Sequence, residues 1–79
     1  MHHVYVIRSD SHQTRYVGVT ENIGRRLQEH NAGRCRYTRG RRPWSLLYVE
    51  DFNDLGSARG REIFLKSGQG RKFLDSILA

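Results

Sequence analysis

The sequence predicts an α+β domain: a small three-stranded antiparallel sheet flanked by helices, in the order ββαβαα. Three observations carry that expectation. Two runs of β-branched and aromatic residues, HVYVIR at 3–8 and RYVGVT at 15–20, flank the polar, turn-forming SDSHQT, which makes a hairpin with a loop longer than the tightest kinds. A third strand-like run, WSLLYVEDF, occupies 44–52. Around and after these strands, apolar residues recur at helical spacing instead of alternating. A length of 79 residues allows one domain, 1–79, with a thin core.

The helices follow from local chemistry. Thr20 or Asn22 can cap the first, with Glu21 favourably placed near its positive N-terminus. Ile23 and Leu27 form its apolar stripe, and Asn31, Ala32 and Gly33 end it with a residue suited to a left-handed turn. The loop RCRYTRGRRP at 34–43 holds five arginines and no acid and closes on Pro43. Asn53 or Asp54 can cap a helix over 55–66, in which Gly56 and Gly60 weaken intrinsic propensity, so tertiary packing must hold it. SGQG at 67–70 breaks that helix, and 71–79 reads as a short amphipathic C-terminal helix.

A formal charge of +6 and a pI near 10.3 point to a polyanionic partner, nucleic acid first and an acidic membrane surface second. Only Lys66 and Lys72 are lysines; the other basic residues are arginines, whose planar fork suits phosphate. A genome rich in arginine codons would give the same bias. One cysteine, Cys35, excludes an internal disulfide and a cysteine-rich zinc site, which fits a reducing compartment. The longest apolar runs, VYVI and LLYV, are too short to cross a bilayer, and the N-terminus lacks the apolar segment of a signal peptide. The expected location is the cytoplasm.

Several residues stand out as chemistry. Tyr5 and Tyr16 lie on the two hairpin strands, where one register points both phenols from one face; paired aromatics also stabilise ordinary sheets. Arg26 and His30, four residues apart, border the Ile23/Leu27 stripe, where an arginine finds an anion, either a ligand or a neighbour such as Glu29 or Glu50, or reaches back out to solvent. Glu62 falls within a stripe of Leu55, Ala58 and Leu65. A carboxylate there pairs with Arg59, Arg26 or Lys66, or holds a divalent cation. In the arginine loop, Arg34, Arg36, Arg39, Arg41 and Arg42 interleave with Tyr37 and Trp44, the mixture that grips nucleic-acid backbones and bases; a solvated or unordered loop is the plainer account. His2, His3 and His12 show no ligand spacing and read as surface residues.

Taken together, these stretches resemble the GIY-YIG nuclease superfamily, in particular its small stand-alone bacterial members. VYV (4–6) matches the first signature triplet and YVG (16–18) the second. IGRRLQEHNAG (23–33), YTRGRRP (37–43) and REIFLKSGQGRKFL (61–74) complete the pattern over almost the whole chain. The resemblance implies metal-dependent hydrolysis of phosphodiester bonds in DNA with Mg²⁺ or Mn²⁺. It gives Tyr16 the role of general base, Tyr5 that of a partner phenol, Arg26 that of the catalytic arginine, His30 that of the histidine one turn later, and Glu62 that of the metal ligand. A free phenol titrates near 10 and is a poor base at neutral pH, and a nearby cation favours the phenolate. The chain departs from the pattern at His3, where glycine is usual, and at Val19, where some members have lysine. The late asparagine of some members has only Gln69 as a stand-in.

The expected function is therefore a metal-dependent DNA endonuclease that recognises structure more than sequence, with a role in DNA repair or processing. The alternatives are a DNA-binding module that does not cut and, behind it, a protein-interaction domain. Monomer and homodimer are both open. The catalytic reading expects both phenols, Arg26 and Glu62 to converge in one cleft.

Overall fold

The computed structural model describes residues 1–78. The elements follow the expected order: β1 (His2–Ser9), β2 (Arg15–Thr20), α1 (Ile23–Asn31), β3 (Trp44–Phe52), α2 (Leu55–Lys66) and α3 (Gly68–Leu78), with one 3-10 turn over Arg39–Arg41. β1 is the middle strand of an antiparallel sheet ordered β2-β1-β3.

Strand alternation gives the sheet two different faces. Val4 and Val6, opposite Val19 and Val17, point to one side and pack with Ala58 and Leu65 of α2 and Leu74 of α3. Tyr5 and Ile7, opposite Gly18 and Tyr16, face the other side with Trp44, where α1 lays Ile23 and Leu27 against them. β3 contributes to both layers, and its pairing with β1 slips by one residue between Val6 and Ile7. Leu47 and Tyr48 join the first cluster and Trp44 the second. Val4, Val6, Ile7, Leu65 and Leu74 are at most 1% exposed, and burying each such side chain stabilises the fold by about 1.5–3 kcal/mol.

The helix ends use the caps that the sequence offered. Asn22 caps α1, its side chain accepting from the Arg25 N–H at 3.0 Å. Gly33, at φ +81°, closes it with a backbone bond to the His30 carbonyl. Asp54 caps α2 through the Ser57 N–H at 2.8 Å.

Two details differ from expectation. The break between the last helices is a single residue, not 67–70: Ser67 ends α2, and its hydroxyl accepts from the Gly70 N–H at 3.1 Å, so α3 begins at Gly68. Gly70 is required because α3 crosses α2 there, and a Cβ at that position would overlap the Phe64 carbonyl oxygen. Leu55 is 45% exposed and lies outside the buried stripe, because it stands in the first turn of α2, before the helix reaches the sheet. The end of the helix expected over 71–79 falls on residue 79, outside the described residues.

Candidate active site

Strand pairing puts the two phenols together. Tyr5 sits opposite Gly18 and Tyr16 opposite Ile7, so the tyrosines are diagonal neighbours with ring centroids 6.3 Å apart. Gly18 makes the arrangement possible, since a Cβ there would come within 2.5 Å of the Tyr5 hydroxyl. His30, completely buried, comes down from α1 between them: its Nε2 is 2.8 Å from Tyr5 Oη, and its ring packs edge-on to Tyr16 at 5.1 Å.

Arg26, one turn earlier on α1, completes the group. Its Nε donates to Tyr5 Oη at 3.4 Å, its Nη1 to Glu29 at 3.0 Å, and its Nη2 approaches the Cys35 sulfur at 4.0 Å. Of the two carboxylates expected as neighbours, Glu29 is the partner, while Glu50 belongs to Arg61 on the opposite face. About a third of the Arg26 side chain stays exposed.

The electrostatics follow from burial. Desolvation pushes the Tyr5 phenol up to about 12, against the opposing pull of Arg26, so Tyr5 keeps its proton at neutral pH. Burial and then the Arg26 charge hold His30 below its ordinary value, with Glu29 opposing, which favours neutral imidazole. Arg26 is held even more firmly charged than usual by Tyr5 and Glu29.

Sequence reasoning missed three residues that set this geometry. Thr38, fully buried, meets His30 Nδ1 at 2.7 Å. Asn31 clasps the Trp44 backbone, accepting from its N–H at 2.7 Å and donating to its carbonyl at 3.0 Å. Cys35 lies beside Arg26 with its thiol lowered: burial works against this, but bonds with Thr38 and Tyr37 and the Arg26 charge prevail. A threonine between Tyr37 and Arg39 carries no signal of burial, because a polar residue in a charged loop reads as solvated.

The arginine loop is ordered and tied down. Ser9 donates to the Arg41 carbonyl at 2.6 Å, Asp10 N–H to the Pro43 carbonyl at 2.9 Å, and the Trp44 indole to the Thr38 carbonyl at 2.8 Å. Arg34, Arg36, Arg39, Arg41 and Arg42 line this loop, and among the described residues none of them pairs with a carboxylate. Tyr37 is 68% exposed and packs beside Tyr16 at 5.6 Å. It separates two recesses. One, of about 460 Å³, runs around the free edge of β2 and is lined by Arg15, Tyr16, Tyr37, Lys66 and Arg71 over an apolar floor. The other, of about 280 Å³, is lined by His12, Arg36, Gly40 and Arg41.

Glu62 does not join the phenols, so the expected convergence of both phenols, Arg26 and Glu62 in one cleft does not hold. It stands on α2, which covers the sheet face opposite the phenols. Its carboxylate side chain is 13% exposed and meets Arg59 at 3.5 Å and Lys66 at 3.0 Å. Its link to the phenols is indirect: Lys66 lines the β2-edge recess together with Tyr16. Among the described residues no three His, Cys, Asp or Glu side chains gather as a metal cage. The donor chemistry at Glu62, a single hard oxygen ligand, fits a cation that keeps most of its own water, as Mg²⁺ does. Both present partners of that carboxylate are cations.

A two-faced ββαβαα sheet with paired tyrosines and an arginine–histidine helix defines a class, and comparison agrees. The chain belongs to the GIY-YIG family: the model of the GIY-YIG catalytic domain matches residues 1–73. This makes it a nuclease-type domain. It is 48% identical over 67 residues to a UPF0213 protein of Halobacterium salinarum, covering 84% of this chain and 86% of that one. A UPF0213 protein of Natronomonas pharaonis is 45% identical, with 84% and 78% covered. Among solved structures, the solution structure of the UPF0213 protein BH0048 from Bacillus halodurans aligns with TM-score 0.58 at 30% identity, over 96% of this chain and 83% of that one. No helix among the described residues is long and apolar enough to cross a membrane.

Proposed function

We propose that the chain is a DNA endonuclease that hydrolyses phosphodiester bonds with Mg²⁺ or Mn²⁺ and recognises backbone or shape more than sequence. The observation that carries the reading is the convergence of Tyr5, Tyr16, Arg26 and His30 beside an accessible arginine loop. Binding alone needs the loop and not the buried cluster.

The two phenols take different parts. Tyr5 has its hydroxyl engaged by His30 and Arg26. Tyr16 makes no hydrogen bond through its hydroxyl among the described residues and opens on the β2-edge recess, so it is the phenol left to meet an attacking water. Arg26, charged and partly exposed, would neutralise charge gathering on the phosphate oxygens, worth about 3 kcal/mol by analogy with single electrostatic donors. Glu62 would hold the divalent ion once Lys66 and Arg59 release it, and the ion would supply Lewis-acid stabilisation of the leaving oxygen. Tyr37 offers an exposed stacking surface, and Arg34, Arg36, Arg39, Arg41 and Arg42 offer phosphate contacts.

A second reading, a DNA-binding module that does not cut, is favoured by the place of Glu62 on the opposite layer with two cations already on it. A cleavage assay over linear, branched and single-stranded DNA with Mg²⁺, Mn²⁺ and EDTA decides between them. Glu62→Ala is expected to abolish metal-dependent cleavage while leaving binding in EDTA nearly intact. Wild type that cuts none of these substrates with either ion gives the second reading.

A further inference from the structure

The buried chain around His30 leaves one consistent place for each proton in it. Tyr5 Oη meets His30 Nε2 at 2.8 Å and Arg26 Nε at 3.4 Å. A guanidinium only donates. The phenol's own hydrogen therefore has a single acceptor among the described residues, His30 Nε2. If Nε2 instead carried a hydrogen, the hydroxyl hydrogen of a residue only 3% exposed would find no acceptor among the described residues, which is costly for a buried donor. With Nε2 bare and the ring neutral, the imidazole hydrogen lies on Nδ1 and is donated to Thr38 Oγ1 at 2.7 Å, and the Thr38 hydroxyl passes its own hydrogen to the Cys35 carbonyl at 3.4 Å.

Thr38 is fixed for this task. It has no exposed surface, its N–H reaches the Cys35 carbonyl at 3.2 Å, and its carbonyl accepts the Trp44 indole at 2.8 Å. Asn31, the residue after His30, clasps the Trp44 backbone and closes the loop onto α1.

We infer that Thr38 is a positioning residue that holds His30 as the Nδ1–H tautomer, so that Nε2 is the acceptor of the Tyr5 phenol proton. The groups facing or flanking the imidazole are Tyr5 from β1, Tyr16 from β2, Thr38 from the loop, and Arg26 and Glu29 from its own helix, with Cys35 behind Arg26. The consequence for catalysis rests on the nuclease reading. With its hydrogen committed to Nε2, Tyr5 stays neutral and takes no proton from the attacking water, which is left to Tyr16.

The tautomer is measurable without any cleavage. In ¹⁵N-labelled full chain at pH 7, the His30 ring is expected to be neutral, with its hydrogen on Nδ1 and slow to exchange. A hydrogen on Nε2, or an imidazolium at that pH, overturns the inference. Thr38→Val is expected to turn the single tautomer into a mixture, and Thr38→Ser to restore it; a Thr38→Val ring still locked as Nδ1–H removes Thr38 from the role. Should Thr38→Val not fold, exchange of the Nδ1 hydrogen in wild type and Thr38→Ser decides, since fast exchange in both is incompatible with the lock. In a cleavage assay, Thr38→Val should lower kcat by about tenfold or more at nearly unchanged KM, with Thr38→Ser recovering it. A wild type that cuts nothing yet shows the Nδ1–H ring ends the nuclease reading and leaves the tautomer assignment standing.

Discussion

Gly18 lies under the edge of Tyr5, and the signature glycine has a steric reason there: a methyl group would sit 2.5 Å from the phenol oxygen. Gly18→Ala should displace the ring, weaken its bond to His30, and destabilise the fold by about 1–3 kcal/mol, as overpacking of a tight core does. Urea denaturation measures the cost. His3 stands where the other signature glycine is usual. It lies beside Val4 and pairs with Asp51 at 2.6 Å at the rim of the sheet.

At the scale of elements, one arginine joins the second layer. Arg61 of α2 forks onto Glu50 of β3 at 2.8 and 3.0 Å and lies 4.9 Å from the ring centres of Phe64 and Phe73, while Tyr48 donates to the same carboxylate. Burial works against the charge on Glu50, but Arg61 and Tyr48 hold its carboxyl below the ordinary range. Arg61→Ala removes both the fork and the packing. It should destabilise the protein by roughly 1–3 kcal/mol in urea titration, with Glu50→Gln in the same chain recovering part of the loss. The arginine loop is the other element with a separable effect. It is anchored through Thr38, Pro43 and the hairpin, and of its arginines Arg42 adds a bond within the loop, donating Nε to the Arg39 carbonyl at 2.8 Å. Changing Arg39, Arg41 and Arg42 to Ala should weaken DNA binding and flatten its dependence on log salt by up to about 0.9 for each phosphate no longer neutralised. An unchanged slope in binding titrations would take the loop out of the interface.

For the whole molecule, the buried imidazole couples stability to pH. His30 titrates lower in the folded chain than its ordinary 6.5, so between those two values the unfolded chain binds the extra proton. Stability is therefore full above about 6.5 and falls as pH drops below that toward and through the folded value. Urea midpoints measured from pH 8 to 5 should decline on the acid side, and the decline should shrink in His30→Gln. Below that window Glu29, Glu50 and Asp54, each held low by its partners, add a second loss as they protonate.

What the sequence determined by itself is the element order and the helix face shared by Arg26 and His30; that Tyr5 and Tyr16 join them on one side waited on the hairpin register. Periodicity, capping residues and strand composition are local, and the pairing of two short strands fixes which side chains share a side. Glu62 shows where local reasoning ends: its spacing placed it on a half-buried stripe, but only packing could assign that stripe to the layer opposite the phenols, reached around the edge of β2. Thr38 shows the same limit in the other direction. Its burial beneath Trp44, and with it the hydrogen-bonded chain through His30, depends on a loop folding back onto α1 and the hairpin, an arrangement of residues far apart in the chain that no short stretch encodes.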